Sequence, residues 1–287
     1  MNPCALFIGR ATIDVIYSVE TYPGSDEKVT ATRQLVGCGG PALNAAMTFS
    51  HLGGSACLLT SVGRNVLGRL IYEECERFSV KLLDRADALL FDVPVSTIVS
   101  TSSTGYRSII NAPSRIEVQR PVPAITNEHP QVVLLDQFEA DAVALLSSSI
   151  QRAGVPVILD AGRWREATPL FLELTTIPIV SANFFPPGAH TKSETAQFLM
   201  EKFPRWAITC GDGGVMYGDC GRVGTIPALN VSAIDTLGAG DIFHGAFCAK
   251  LAADHGFVEA LEYANRVAAE SCKYLGAREW MSYAIGP

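Results

Sequence analysis

Short apolar runs, each followed by a helical pattern, recur along this chain, and that alternation limits its fold more than any single motif does. Residues 4–8 read as a strand closed by Gly9. Residues 57–62 read as a buried strand before an amphipathic helix over 66–78, and 132–135 as a strand before a helix over 140–153 that stops at Gly154. Strands follow at 156–159, 177–181 and 206–209, with a Thr191-x-x-Glu194 capping box opening the helix between the last two. Helical patterns also cover 41–52 and 258–275, with Gly53-Gly54 and Gly276 at their ends. Such alternation predicts an α/β chain with a doubly wound, mostly parallel sheet in three layers, α/β/α. With 287 residues and 48% apolar side chains, the whole chain (1–287) can bury this core as a single domain. Ligands of such sheets collect at the carboxyl ends of the strands.

Two stretches break the pattern. Residues 13–19 and 28–32, and later 93–101 turning through Ser103-Thr104-Gly105 into 106–111, are extended but alternate with polar residues. That is the pattern of strands with one wet face. They predict a small β lid built from about 12–36 and 92–111, with unpaired edges open to a second copy. A hairpin over 215–226 turns near Gly218–Gly221.

Charge and composition exclude several functions. A net charge of -7 argues against nucleic-acid or anionic-membrane surfaces. No apolar run approaches a membrane span, the first residues lack a signal-peptide pattern, and eight scattered cysteines contain no Cys-x-x-Cys. The expectation is a cytoplasmic protein.

The chemistry centres on Ile234-Asp235-Thr236-Leu237-Gly238-Ala239-Gly240-Asp241, which opens into an apolar helix. Glycines around an alanine let several amides point one way, and a helix start adds unpaired N–H groups and a positive dipole end. That corner suits an anion. Asp241 would repel a phosphate, which makes sense if it takes a proton from a nucleophile attacking it. A tight turn with Asp241 capping the helix is the plainer reading. A Rossmann loop is excluded, because its third glycine position holds Phe243. Gly63-Arg-Asn-Val-Leu-Gly68-Arg69 has nearly Walker spacing without the Lys-Ser/Thr pair.

The run Asp235–Asp241 resembles the signature of the ribokinase-like (PfkB) carbohydrate kinases, and other segments match that family in order. The resemblance implies that Asp241 is the catalytic base, with the amides of Gly238, Ala239 and Gly240 as an anion hole. Gly37-Cys-Gly39-Gly40-Pro-Ala-Leu-Asn44 is similar to its first signature, which implies that Gly39, Gly40 and Asn44 touch the sugar. Asp14 resembles the Asp of its opening strand, which bonds sugar hydroxyls. Thr209-Cys-Gly211-Asp-Gly-Gly214, Asn183 and Asn265 fall where the family lines the nucleotide. Asp235 resembles a residue near a monovalent-cation site. The implied cofactors are ATP and Mg2+, with K+ as the candidate monovalent ion; the unpaired lid edges point to a homodimer through the lid. The family's Asn-x-x-Glu is broken here, since Asn183-Phe-Phe is followed by Pro186.

The lid run Tyr106–Ser114 resembles the ketohexokinase and sulfofructose-kinase branch. Lys28, Arg107 and Asn111 can face a sugar or an anionic group. A sulfonate or phosphate on the substrate calls for a donor cluster including Arg. After strand 132–135 stands Asp136-Gln-Phe-Glu, with no Arg. The reading favours a neutral ketohexose or ribose-like sugar, phosphorylated on a primary hydroxyl. Sulfofructose and nucleosides are the alternatives within the fold, and a non-catalytic sugar-binding regulator is the alternative outside this chemistry.

Overall fold

The computed structural model describes residues 2–86, 91–101, 107–112, 122 and 129–283. In chain order its strands begin with β1 (Cys4–Ile8), β2 (Thr12–Val19), β3 (Arg33–Gly39), β4 (Ser55–Thr60), β5 (Lys81–Asp84), β6 (Val95–Thr101) and β7 (Arg107–Asn111). They continue with β8 (Val132–Leu135), β9 (Val157–Ala161), β10 (Ile177–Ser181), β11 (Arg205–Thr209), β12 (Val215–Asp219) and β13 (Arg222–Ile226). The helices are α1 (Pro41–His51), α2 (Val66–Arg77), α3 (Ala140–Ala153), α4 (Thr168–Leu174), α5 (Lys192–Lys202), α6 (Ala239–Ala252) and α7 (Phe257–Ser271).

Nine strands form the main sheet in the order β13-β12-β11-β10-β9-β8-β1-β4-β5. From β11 to β5 every pairing is parallel, and the β12–β13 hairpin adds an antiparallel edge. The strands are apolar on both sides because both faces are covered. In β1, Ala5 and Phe7 join a core with α1, α2, α6 and α7, while Leu6 and Ile8 join a core with α3, α4 and α5. These are the three layers expected. The capping box at Thr191 and Glu194 forms as its spacing predicts.

Two short elements, β5 and α4, escape the sequence patterns because four and seven residues are too few to show a period. The lid differs more instructively. It is a second sheet in the order β3-β2-β6-β7. Its strand beside β2 is Arg33–Gly39, and residues 28–32 lead into it without joining the ladder. The glycines of 37–40 read as loop, yet Gly37 and Gly39 pair with Asp14 and Thr12. The strand therefore runs straight into α1.

Candidate active site

The N-terminus of α6 faces the carboxyl ends of the parallel strands. Gly238 starts the helix in the left-handed region, at φ 73°, with no side-chain cap. A glycine meets that backbone demand without strain. Asp241 lies in the first turn, and its Oδ2 accepts from Asn44 Nδ2 at 2.7 Å. Its carboxylate thus reaches across to α1 instead of capping its own helix. Gly245, one turn on, explains the reach: a Cβ there would stand 2.4 Å from the carbonyl oxygen of Ala45. Only glycine lets α6 approach α1 closely enough to join Asp241 to Asn44.

Asp241 is pushed up to about 7, chiefly by burial and then by the Asp160 carboxylate, while Asn44 and His244 oppose the rise. Asp160 sits at the end of β9. Its Oδ2 lies 3.5 Å from His244 Nδ1 and has no hydrogen-bond partner among the described residues. His244 is buried, with Nδ1 2.7 Å from the Gly240 carbonyl and Nε2 3.0 Å from that of Ile179. A carboxyl group balanced near neutrality is suited to taking up a proton and releasing it.

The residues expected to hold the sugar gather beside this corner. Asp14 accepts from Thr12 Oγ1 at 2.8 Å, and its pKa is raised by burial. A Cβ on Gly39 would fall 2.0 Å from Asp14 Oδ2, so that glycine leaves the carboxylate its place. Gly40, at φ 102°, precedes α1. Asn111 occupies the lid row Gly37–Asp14–Ser96–Asn111 and shares a face with Asp14. Lys28 does not join them: it is exposed in the β2–β3 connection, off the ladder, with no hydrogen bond or ion pair to a site residue among the described residues. Arg107 pairs with Ser100 through the β6–β7 ladder, and its side chain lies outside the described residues.

On the other side of α6 opens a cleft of about 530 Å3. Thr209, Gly211, Gly214 and Asn265 line it together with Ala239 and Gly240. Asn265 also donates to the Pro227 carbonyl at 2.9 Å. Asn183 does not line it; this residue is exposed in the turn after β10, where its amide donates to Ser181 Oγ. The cleft fits a nucleotide, with glycine-rich backbone along one wall and the helix N-terminus at its end. No group of three or more His, Cys, Asp or Glu that would hold a metal occurs among the described residues. Both oxygens of Asp235 accept backbone amides, from Leu237 and Gly276 at 2.9 Å each, so this side chain clasps the turn to the residues after α7.

The structure adds residues that no motif marked. Arg278 Nη1 donates to Asn44 Oδ1 at 2.8 Å, and its Nε pairs with Glu74. This orients the Asn44 amide so that its nitrogen faces Asp241. Asp136, pushed up to about 8 by burial, accepts the amides of Arg10, Ala42 and Phe138. The only signal for Asp136 and Asp160 is position: each stands at the carboxyl end of a parallel strand.

Residues 4–282 match the pfkB family carbohydrate kinase description. A ribokinase of Bacillus subtilis (strain 168) is 26% identical over 285 residues, covering 96% of this chain and 94% of that protein. An ATP-dependent ribose-1-phosphate kinase of Halopiger xanaduensis is 26% identical over 284 residues, covering 95% and 93%. The solved structure of Arabidopsis thaliana ribokinase complexed with ribose and ATP superposes with a TM-score of 0.75 at 18% identity, covering 99% of this chain and all of that one.

Proposed function

The chain belongs to the pfkB family of carbohydrate kinases and is a phosphotransferase, and on that premise we propose that it moves the γ-phosphate of ATP to a primary hydroxyl of a small, ribose-like sugar. Asp241 carries this reading, being buried beside an anion-ready helix start, bonded to Asn44 and balanced near neutral pH. The sugar lies between Asp14, the Gly39-Gly40 backbone and Asn44, with its hydroxyl toward Asp241. As the oxygen attacks, its proton passes to Asp241, and the amides of Gly238 and Gly240 hold the developing charge. Neither amide has a protein acceptor among the described residues, whereas that of Ala239 closes a 3.3 Å turn on Thr236. Bound Mg2+ would supply charge neutralisation on the phosphates. The protein's part is positioning and electrostatics, which is most of what phosphoryl transfer asks.

The ribose-like preference follows the relatives, a ribokinase and a ribose-1-phosphate kinase among them. A ketohexose has no comparable support. An ADP-release assay across ribose, other aldopentoses, ketohexoses, sulfofructose and nucleosides tests the reading. ADP release with pentoses supports it, and no release with any sugar would leave a non-catalytic binding protein.

We also propose that the lid pairs two copies. The row Val36–Val15–Thr97–Ile110 lies on the face opposite Asp14, and Val36 and Ile110 are 51% and 61% exposed. Sedimentation at micromolar concentration should show a dimer; a monomer would sink the idea.

A further inference from the structure

Three side chains from three loops meet where the lid touches the core. Arg10 follows β1, Phe138 follows β8 and Arg165 follows β9. The guanidinium carbons of Arg10 and Arg165 lie 4.8 and 4.7 Å from the centre of the Phe138 ring. One ring thus carries two cations, each attracted to its π-system. The cations also repel: Arg165 depresses the Arg10 pKa, after burial as the larger cause.

Neither arginine has a carboxylate partner within ion-pair distance among the described residues. Arg10 donates Nη2 to the Ala112 carbonyl at 3.1 Å, and its buried Nε has no partner among the described residues. Asp136, held largely neutral by burial, spends both oxygens on backbone amides. Arg165 is exposed. Positive charge and unused donors are left over at the carboxyl ends of the strands, where ligands of such sheets bind. The cluster is also continuous with the sugar site. Arg10 is near enough to Asp14 to favour its charge, as is Arg278, which holds Asn44. Asn111, on the Asp14 face of the lid, directly precedes Ala112.

We propose that the sugar carries an anionic group (phosphate, sulfonate or carboxylate) seated on the Arg10 and Arg165 guanidiniums, with Asn111 beside it. This rests on the kinase reading and names its substrate class. A planar fork suits such oxygens, and an anion would remove the repulsion between the two cations. The cluster was invisible at Asp136-Gln-Phe-Glu because its arginines come from other loops.

The test pairs neutral and anionic sugars that keep a free primary hydroxyl: ribose with ribose 1-phosphate, and fructose with fructose 6-phosphate and 6-deoxy-6-sulfofructose. A further arm is 2-ketogluconate, a carboxylate. At least one anionic sugar should exceed its neutral counterpart in kcat/KM by about tenfold or more, the scale of one charge-assisted hydrogen bond. Arg165→Met should cost that sugar roughly 10- to 100-fold, mostly in KM, and cost its neutral counterpart much less. Arg10→Lys, which keeps charge but loses the fork, should act in the same direction. A preference for the neutral member of every pair, or equal losses on both members, overturns the proposal. If no sugar releases ADP, the kinase reading fails separately. Calorimetric titration of the anionic sugars into wild type and R165M then decides the subsite, and equal or absent binding in both refutes it.

Discussion

The two ends of the proposed site are built differently. The phosphoryl-transfer end comes from one continuous run, Asp235–Asp241, whose backbone forms the anion corner and whose last side chain faces Asn44. The sugar end draws Asp14 from β2, Gly39 from β3, Arg10 and Arg165 from two core loops and Asn111 from the lid edge. Chemistry that needs backbone amides aimed at one point is met locally, because amide directions follow from consecutive dihedrals. Recognition of a particular sugar needs side chains spaced over a whole molecule, and long-range packing supplies them. Damage to the first end should therefore slow every sugar alike, and damage to the second should change which sugar is preferred.

The largest expected effect is at the first end. Asp241→Asn keeps the shape but cannot take the proton, so kcat should fall by about 10²–10⁴-fold on every substrate. Apparent ATP affinity should hold or improve, since a negative charge near the γ-phosphate is gone. Near-normal turnover on the best sugar would refute Asp241 as base. At the second end, Gly39→Ala drives a methyl into Asp14, and KM for the sugar should rise by roughly 10- to 100-fold with a smaller change in kcat. An equal fall in kcat for all sugars would erase the distinction between the two ends.

The pH dependence probes how the ends couple. If Asp241, raised to about 7, is the base, kcat/KM should climb with pH through about 7 and then level off. Asp160 adds to that rise, so Asp160→Asn should move the acid limb to lower pH. A limb that stays in place would show that Asp160 does not bear on Asp241. The smallest effect concerns Asp235. If it also borders a monovalent-cation site, K+ should raise turnover above Na+ or choline controls. Equal rates in all three would leave Asp235 as the clasp between the turn and Gly276.

Much of this was legible in the sequence, for identifiable reasons. The apolar runs of β1, β4 and β8–β11 announce strands covered on both faces, and their alternation with helices dictates the layered sheet. The glycines at 211, 214 and 238 mark backbone that must turn, and Gly211 and Gly214 line the cleft. The stretch around Lys28 looks extended in the sequence, yet the ladder begins only at Arg33, which leaves Lys28 in the connection before it. Asn183 follows β10 in an exposed turn off the cleft, a placement that its position at a strand end does not reveal.

What the sequence determined by itself is what depends on neighbours in the chain: strand and helix periods, the capping box at Thr191, and the Gly238–Asp241 corner. Only the tertiary structure decided that Gly245 lets α6 approach α1 and join Asp241 to Asn44, that Arg278 orients that amide, and that Arg10 and Arg165 share the Phe138 ring. Those contacts join residues as far as 234 positions apart. No local pattern encodes such a distance, because it is fixed by how the layers pack, not by the dihedrals of either partner.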